Sequence, residues 1–305
     1  IAGKGGMNLT HSDPRDVFVT RYGERQHDVA AWLRGFDADA LRGWARGLGV
    51  ETFVGTSGRV FPSDLKAAPL LRGWVRRLRE QGVRFHVHHR WSGWTGEGAL
   101  RFATPDGEIL VSPDASVLAM GGGSWRELGS HGAWVDALQT KGIATAPLQP
   151  SNCGFDIAWS EHLASRFAGE PPNPGIALWQ EADGSARQRQ GECVITATGI
   201  EGSLVYALSP MLRDAIARDG SATLVLDLLP GRDERELAQR LAKPRGSRSL
   251  SEHLRREAGV TGVRAALLYE ALDKAALADA ARIARALKRF PIPVVRPRPI
   301  AVAIS

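Results

Sequence analysis

The chain has 305 residues, which is enough for two domains or for one large domain with an insertion. Hydrophobic residues make up 43% of it and charged residues 24%, as in globular proteins with buried cores, and no apolar run is long enough to cross a bilayer. Residues 231–290 hold 14 Lys and Arg against 8 Asp and Glu, so this segment carries the whole net charge of +6. The uneven placement excludes an argument for nucleic-acid binding by the molecule as a whole.

Helix and strand patterns alternate along the first half of the chain. They predict a helix over 37–48, a strand pair over 50–62, a helix over 66–82, a strand over 83–91, a hairpin over 99–111 and a short apolar strand over 116–123. A series of this kind is typical of a layered α/β domain.

The pattern changes character near Pro147 and Pro150. Beyond these prolines we expect the strands of a mostly antiparallel unit, followed by helices over 233–290. Ser249 and Glu252 have the spacing of a capping box at the start of one of these helices. The segment 291–299 is rich in proline and is expected to be extended.

Cysteine and histidine supply few candidates for chemistry. Cys153 and Cys193 are the only cysteines and lack metal-type spacing, which favours a reduced, cytoplasmic compartment and no structural metal. We interpret Cys153 as a small buried apolar residue rather than a nucleophile. His86 and His88 share a face of the predicted strand, but no acidic or cysteine residue lies nearby, so a structural or surface role is favoured over a metal site. The basic loop 243–249 is interpreted as solvated.

Two glycine-rich segments are stronger candidates for ligand contact. "GKGGMN" covers residues 3–8, and "SVLAMGGGSW" covers residues 116–125. Ligands of open α/β sheets bind outside the carboxyl ends of strands, where the second segment is predicted to place its glycines. Either segment alone is a weak signal. Together they indicate contact with a phosphate or a cofactor, with simple tight turns as the alternative.

An ordered set of segments resembles a known family. The segments are "AGKGGMNLTHS", "GRVFP" followed by "KAAPLL", "LAMGGGSW", "NCGFD" and "ITATGIEGSLVYALS". They resemble bacterial flavoproteins, the aminoacetone-oxidase-like or bile-acid-reductase-like NAD(P)/FAD oxidoreductases, over essentially the whole chain. Met7 stands where that family has a cysteine, and Met120 stands where it has a threonine.

The resemblance implies an α/β fold with an insertion. Residues 1–146 would form an incomplete Rossmann-type FAD-binding domain, and residues 147–296 an inserted α+β substrate or cap domain. The insertion would have strands over 147–230 and a helical part over 231–290, and residues 297–305 would begin the return to the FAD domain. The resemblance also implies an internal fragment that lacks the G-x-G-x-x-G unit and the last FAD-binding segment, so we expect the chain alone to bind FAD poorly and to be inactive.

The resemblance further implies FAD as cofactor, NAD(P)H as a candidate electron donor and a small molecule as substrate. Hydride transfer would be the chemistry of the flavin, and the sequence names no catalytic acid or base. The implied cofactor-contacting residues are Lys4, Gly5, Gly6, Asn8, Thr10, Gly121 and Gly122.

The alternative is a non-enzymatic basic α/β protein that binds nucleic acid or another polyanion through residues 231–290. Its arginines alternate with acidic residues at helical spacing, as on a solvated helix, and no aromatic–basic nucleic-acid motif is present. A glycine-loop nucleotide hydrolase is disfavoured because no Lys-Ser or Lys-Thr pair follows the glycines.

Overall fold

The computed structural model describes residues 6–124, 126–172, 175–180 and 185–303. The chain divides into two compact units, residues 1–89 and residues 90–305. The helices are α1 Arg15–Thr20, α2 Gln26–Gly35, α3 Ala38–Gly47, α4 Ala67–Glu80, α5 Trp134–Thr140, α6 Glu161–Phe167, α7 Ser203–Asp219, α8 Glu234–Leu241, α9 Leu250–Ala258, α10 Gly262–Ala271 and α11 Ala280–Lys288. The strands are β1 Thr10–His11, β2 Thr52–Val54, β3 Arg59–Pro62, β4 Arg90–Trp94, β5 Leu100–Thr104, β6 Gly107–Val111, β7 Phe155–Asp156, β8 Gly175–Gln180, β9 Ala186–Gly191, β10 Val194–Thr196, β11 Gly199–Glu201, β12 Ala222–Asp227, β13 Phe290–Val294 and β14 Arg296–Pro297.

The first unit contains a three-stranded antiparallel sheet in the order β1-β3-β2. Helix α3 begins at Asp37, whose carboxylate accepts a hydrogen bond from the Ala40 amide, and its apolar face packs into a small core. That core consists of Ala45, Leu48, Val50 and Leu70, with Met7, Leu9 and Trp44 packed against it. The loop before β1 is therefore anchored by two of its own apolar side chains.

The second unit contains three antiparallel sheets, in the orders β4-β5-β6, β10-β11-β7-β14 and β13-β12-β8-β9. Its larger core includes residues from Cys153 to Ala303 and surrounds the buried face of α7. Helices α8 to α11 bury a second apolar cluster, centred on Leu237, Leu254 and Leu287. Each strand pair in the described parts of the chain runs antiparallel, so the parallel strands of a Rossmann-type sheet are not seen there.

Most of the predicted elements are present. The helices predicted over 37–48 and 66–82 are α3 and α4, the predicted hairpin is β5 and β6, and the helical region over 233–290 contains α8 to α11. Ser249 caps α9 by accepting a hydrogen bond from the Glu252 amide. The segment 291–299 is largely extended and supplies most of β13 and all of β14.

Two strand predictions are wrong. Residues 83–89 form no strand, and His88 has a φ of +59°, which interrupts an extended chain. Residues 116–123 also form no strand, because no described strand pairs with this segment. Val117 in this segment is 91% exposed. The sequence argument placed the glycines at 121–123 at the end of a strand. In the structure they do not follow a strand.

The predicted boundary between residues 146 and 147 stays a prediction, and the division into compact units falls at residues 89 and 90 instead. No helix in the described ranges combines the length and the apolar character needed to cross a membrane.

Candidate functional site

The first predicted cofactor-contacting segment lies along β3. The Leu9 amide donates to the Val60 carbonyl at 2.8 Å, and the Ser12 amide donates to the Gly58 carbonyl at 2.8 Å. Gly6 has a φ of +98° and lies against Leu65. These contacts hold the backbone of residues 6–12 in place, so the segment is built into its unit. Lys4 and Gly5 lie outside the described residues.

The side chains of Asn8 and Thr10 in this segment differ in their hydrogen bonding. The Asn8 amide lies against the carbonyls of Val60 and Thr10, and the orientation that satisfies both has its nitrogen donating to them at 3.2 and 2.8 Å. The half-buried Thr10 hydroxyl makes no side-chain hydrogen bond to a described residue. A ligand at this loop would therefore find the Thr10 hydroxyl available and the Asn8 amide already bonded.

His11 is a functional candidate that the sequence argument missed. Its Nε2 lies 3.0 Å from the Ser57 carbonyl, and its Nδ1 accepts from the Asp13 amide at 3.2 Å. Nδ1 also lies 3.1 Å from Asp13 Oδ1, so both ring nitrogens have polar partners. Asp13 also pairs with Arg21. The ring is thus fixed in orientation beside Thr10, and it has no free nitrogen for a metal.

The second predicted segment is a loop held through its carbonyl groups. Gly121 has a φ of +71°, which favours glycine, and its carbonyl accepts from Trp134 Nε1 at 3.1 Å. The Gly122 carbonyl accepts from Ser130 Oγ at 3.0 Å. In a trans peptide the next amide N–H points away from the carbonyl, so the amides of Gly122 and Gly123 are directed away from these two partners.

The space around these glycines differs from one position to the next. A Cβ on Gly123 would lie 3.2 Å from Leu148 and 3.3 Å from Ile300, so this residue is packed against its own unit. A Cβ on Gly122 would meet no described heavy atom within 4 Å. The backbone of Gly122 is therefore open to close approach by another molecule. The segment 6–10 belongs to the first compact unit and the segment 121–122 to the second.

A third group of residues was not singled out as a site from the sequence. Asp156 in β7 pairs with Arg296 in β14, and it also accepts from Arg298 Nη1 at 3.0 Å. Arg298 Nη1 donates in addition to Thr198 Oγ1 at 3.1 Å. These side chains border a cavity of about 360 Å³, lined by Asp156, Ile157, Ala158, Thr198, Val295, Arg296 and Arg298.

The two guanidinium groups decide the charge of Asp156. Burial by itself would raise the pKa of Asp156, but the hydrogen bonds from Arg296 and Arg298 outweigh it and lower the pKa below the ordinary value. The carboxylate is therefore ionised at neutral pH and fully engaged. It acts as a clamp between three chain segments rather than as a general base.

The thiol and imidazole candidates remain structural. Burial raises the pKa of the Cys153 thiol, and it raises the pKa of Cys193 to about 12. Both thiols are protonated at neutral pH, which removes the thiolate that a nucleophile needs. The His86 and His89 rings lie 5.3 Å apart on an exposed turn, and no group of three or more His, Cys, Asp or Glu side chains in the described ranges could hold a metal ion.

Sequence reasoning missed the Asp156 cluster for a specific reason. "NCGFD" and "ITATGIEG" were noted as family segments, but only Cys153 was considered chemically within the first. The arginines follow Asp156 by about 140 positions, so no local spacing relates them to it. The sequence offered one signal for this cluster. Asp156 is the last residue of "NCGFD", and the proline-rich segment 291–299 contains two arginines.

Comparison with known proteins agrees with the resemblance at the level of the family. The family model described as the HI0933-like protein Rossmann domain matches residues 1–266. No curated protein matches the chain. Since the matched residues make up most of the chain, it belongs to the HI0933-like Rossmann-domain family, a family of FAD-binding oxidoreductases.

Proposed function

We propose that this protein is an FAD-dependent oxidoreductase of the aminoacetone-oxidase-like or bile-acid-reductase-like type, which transfers hydride between the flavin and a small-molecule substrate. The observation that carries the proposal is the family match over residues 1–266. NAD(P)H is the proposed electron donor. We also propose that residues 147–296 form the domain that shapes the substrate pocket.

The geometry of Gly121 and Gly122 fits a cofactor that must approach the backbone closely. Their carbonyls are bound by Trp134 and Ser130, and a side chain on Gly122 would project into open space. Backbone amides that point away from bound carbonyls are suitable donors for a phosphate or a flavin carbonyl. The amides directed in this way belong to Gly122 and Gly123, and Gly122 has open space beside it. We therefore propose that FAD contacts the backbone at Gly122, and Gly121 remains a predicted contact.

The loop at residues 6–10 supports a narrower role. The Thr10 hydroxyl is available for a hydrogen bond, whereas the Asn8 amide is held by Val60 and Thr10. We propose that Gly6 and Thr10 contact the cofactor directly and that Asn8 keeps the loop in shape. Lys4 and Gly5 remain predicted contacts. FAD would supply the hydride chemistry, and these residues would supply binding and orientation.

The arrangement of charges weakens the polyanion alternative. Several basic residues of 231–290 pair with carboxylates, namely Arg232, Arg240, Lys243, Arg255, Arg256, Arg285 and Lys288. Pairing neutralises the charge that would attract a phosphate backbone. Polyanion binding is the alternative hypothesis if the protein does not bind FAD.

The role of Gly122 can be tested by adding one methyl group. Because a Cβ there meets nothing within 4 Å, Gly122→Ala should fold as the natural sequence does. If FAD lies against this backbone, the added methyl group occupies space that FAD needs. We therefore expect the affinity for FAD to fall by about tenfold or more, equivalent to about 1.4 kcal/mol. The measurement is fluorescence titration of the protein with FAD, after removal of any bound flavin.

Gly96→Ala is the matched control, because a Cβ at Gly96 also meets nothing within 4 Å and the residue lies in the same compact unit. It should bind FAD as the natural sequence does. Equal affinity in Gly122→Ala and Gly96→Ala would show that the cofactor does not touch Gly122.

A further inference from the structure

A cavity in the helical part of the second unit has no role in the proposed redox chemistry. It has a volume of about 490 Å³ and lies among the end of α8, the helix α9, the segment 274–278 and the helix α11. This volume is within the range of small-molecule sites in proteins. We therefore consider which ligand the cavity could bind.

The charged residues that line this cavity are all basic. They are Lys243, Arg245 and Lys274, and no carboxylate is among the lining residues. Lys243 pairs with Glu257 at 3.2 Å. Arg245 and Lys274 have no ion-pair partner in the described ranges, and both are exposed. Two uncompensated cations at one cavity favour an anionic occupant.

A buried imidazole lies at the same cavity. His253 is only 4% exposed, and its Nε2 lies 2.9 Å from the Leu241 carbonyl. Since that carbonyl only accepts, Nε2 is the protonated nitrogen. Within the described ranges Nδ1 has no hydrogen-bond partner. Buried polar atoms are nearly always paired in folded proteins, so the unpaired Nδ1, which accepts while Nε2 carries the proton, points to a missing hydrogen-bond donor. This nitrogen indicates an occupant of the cavity, and the two unpaired cations indicate the charge of that occupant.

The rest of the lining is apolar. Leu241 and Ile283 are almost fully buried, and Leu250 and Leu277 add further aliphatic surface. A bare inorganic anion would make no use of this surface. A molecule with both an anionic group and an aliphatic part would contact the cations and the aliphatic wall together.

We propose that this cavity binds an amphipathic organic anion, a small carboxylate or phosphate ester with an aliphatic portion. Arg245 and Lys274 recognise the charge, and the leucine and isoleucine side chains recognise the aliphatic part. The proposal rests on the cavity alone and is independent of the flavin.

The test uses the 305-residue chain, isothermal titration calorimetry and three probes. Octanoate has both features, 1-octanol has the same aliphatic part without the charge, and inorganic phosphate has charge without the aliphatic part. We expect octanoate to bind at least about tenfold more tightly than either of the others. Equal binding of 1-octanol would show that charge is not recognised, and equal binding of phosphate would show that the apolar wall is not used. Either result overturns the proposal.

Two double variants with the same loss of charge locate the site. Arg245→Ala with Lys274→Ala removes the two unpaired cations of the cavity, and we expect the affinity for octanoate to fall about tenfold. Arg235→Ala with Arg282→Ala removes two exposed cations from α8 and α11 that do not line the cavity. The second double variant should bind octanoate as the natural sequence does. Equal weakening by both would assign the effect to net charge and contradict the site.

Discussion

At the scale of single residues, Asp156 is a carboxylate held by two arginines. One carboxylate joins β7 to two arginines that lie about 140 positions later in the chain, and one of those arginines also binds Thr198. A hydrogen bond between charged groups stabilises more than one between neutral groups. The cluster therefore fastens the returning segment 295–298 to the sheet.

Asp156→Asn tests this clamp through the pH dependence of stability. The folded pKa of Asp156 is lowered, so its contribution is fully present above the unfolded pKa, near 4, and is lost as the pH falls through the folded pKa. We expect the variant to be less stable by about 1–2 kcal/mol at pH 7, since solvent in the cavity screens the pair. The difference from the natural sequence should shrink below pH 4, as measured by chemical denaturation across the pH range.

Asp219→Asn is the control for this prediction. Asp219 pairs with its exposed neighbour Arg218, and such surface pairs contribute little. Its variant should unfold as the natural sequence does at pH 7. A destabilisation of Asp156→Asn that stays constant from pH 7 down to pH 2 would show that the ionised carboxylate is not the source of the effect.

At the scale of elements, the contact between β7 and β11 requires a glycine at position 199. Gly199 pairs with Asp156, and a Cβ on Gly199 would lie 1.8 Å from the Phe155 carbonyl oxygen. No side-chain rotation relieves a clash between a Cβ and a backbone atom. The two strands must therefore separate if any other residue occupies this position.

Gly199→Ala should destabilise the second unit by about 4 kcal/mol or more, or prevent it from folding. The measurement is thermal unfolding followed by circular dichroism. Gly175→Ala is the matched control, because Gly175 is also a buried strand glycine, and its Cβ would make only an ordinary contact with Cys193 at 3.7 Å. An unfolding temperature for Gly199→Ala close to that of Gly175→Ala would contradict the close approach of β7 and β11.

Helices with a clear apolar face were predictable from the sequence. Residues 37–48 and 66–82 repeat apolar residues at helical spacing, and both helices form. Helix α7 was not predicted, because Pro210 interrupts its pattern and Gly202 directly precedes its first residue. Its burial against β12 and β14 compensates for the lost backbone hydrogen bond, which is tertiary information that a local pattern does not contain.

The two failed strand predictions have a common cause. Residues 83–91 and 116–123 carry apolar residues at strand-like spacing, yet no described strand pairs with 83–89 or 116–123. Strand formation needs a partner for its backbone groups, and a pattern within one segment does not reveal that partner. Gly121 adopts a positive φ, so a glycine is favoured at this position even without the predicted strand.

At the scale of the whole molecule, the sequence and the structure inform different parts of the account. The ordered family segments predicted a flavoprotein, and the family match agrees with it. The Asp156 clamp and the basic cavity each unite residues that are far apart along the chain, so only the folded arrangement reveals them. Groups assembled from distant segments were thus not predictable from the sequence, and the predicted cofactor contacts within the two glycine segments stay predictions.

The visible absorption spectrum of the purified protein tests most directly the claim that it is a flavoprotein. We expect the two visible bands of an oxidised flavin, present on purification or after addition of FAD and removal of the excess. We also expect these bands to bleach on anaerobic addition of NADH or NADPH. A folded protein that stays colourless after incubation with FAD would contradict the claim that this member of the family is a flavoenzyme.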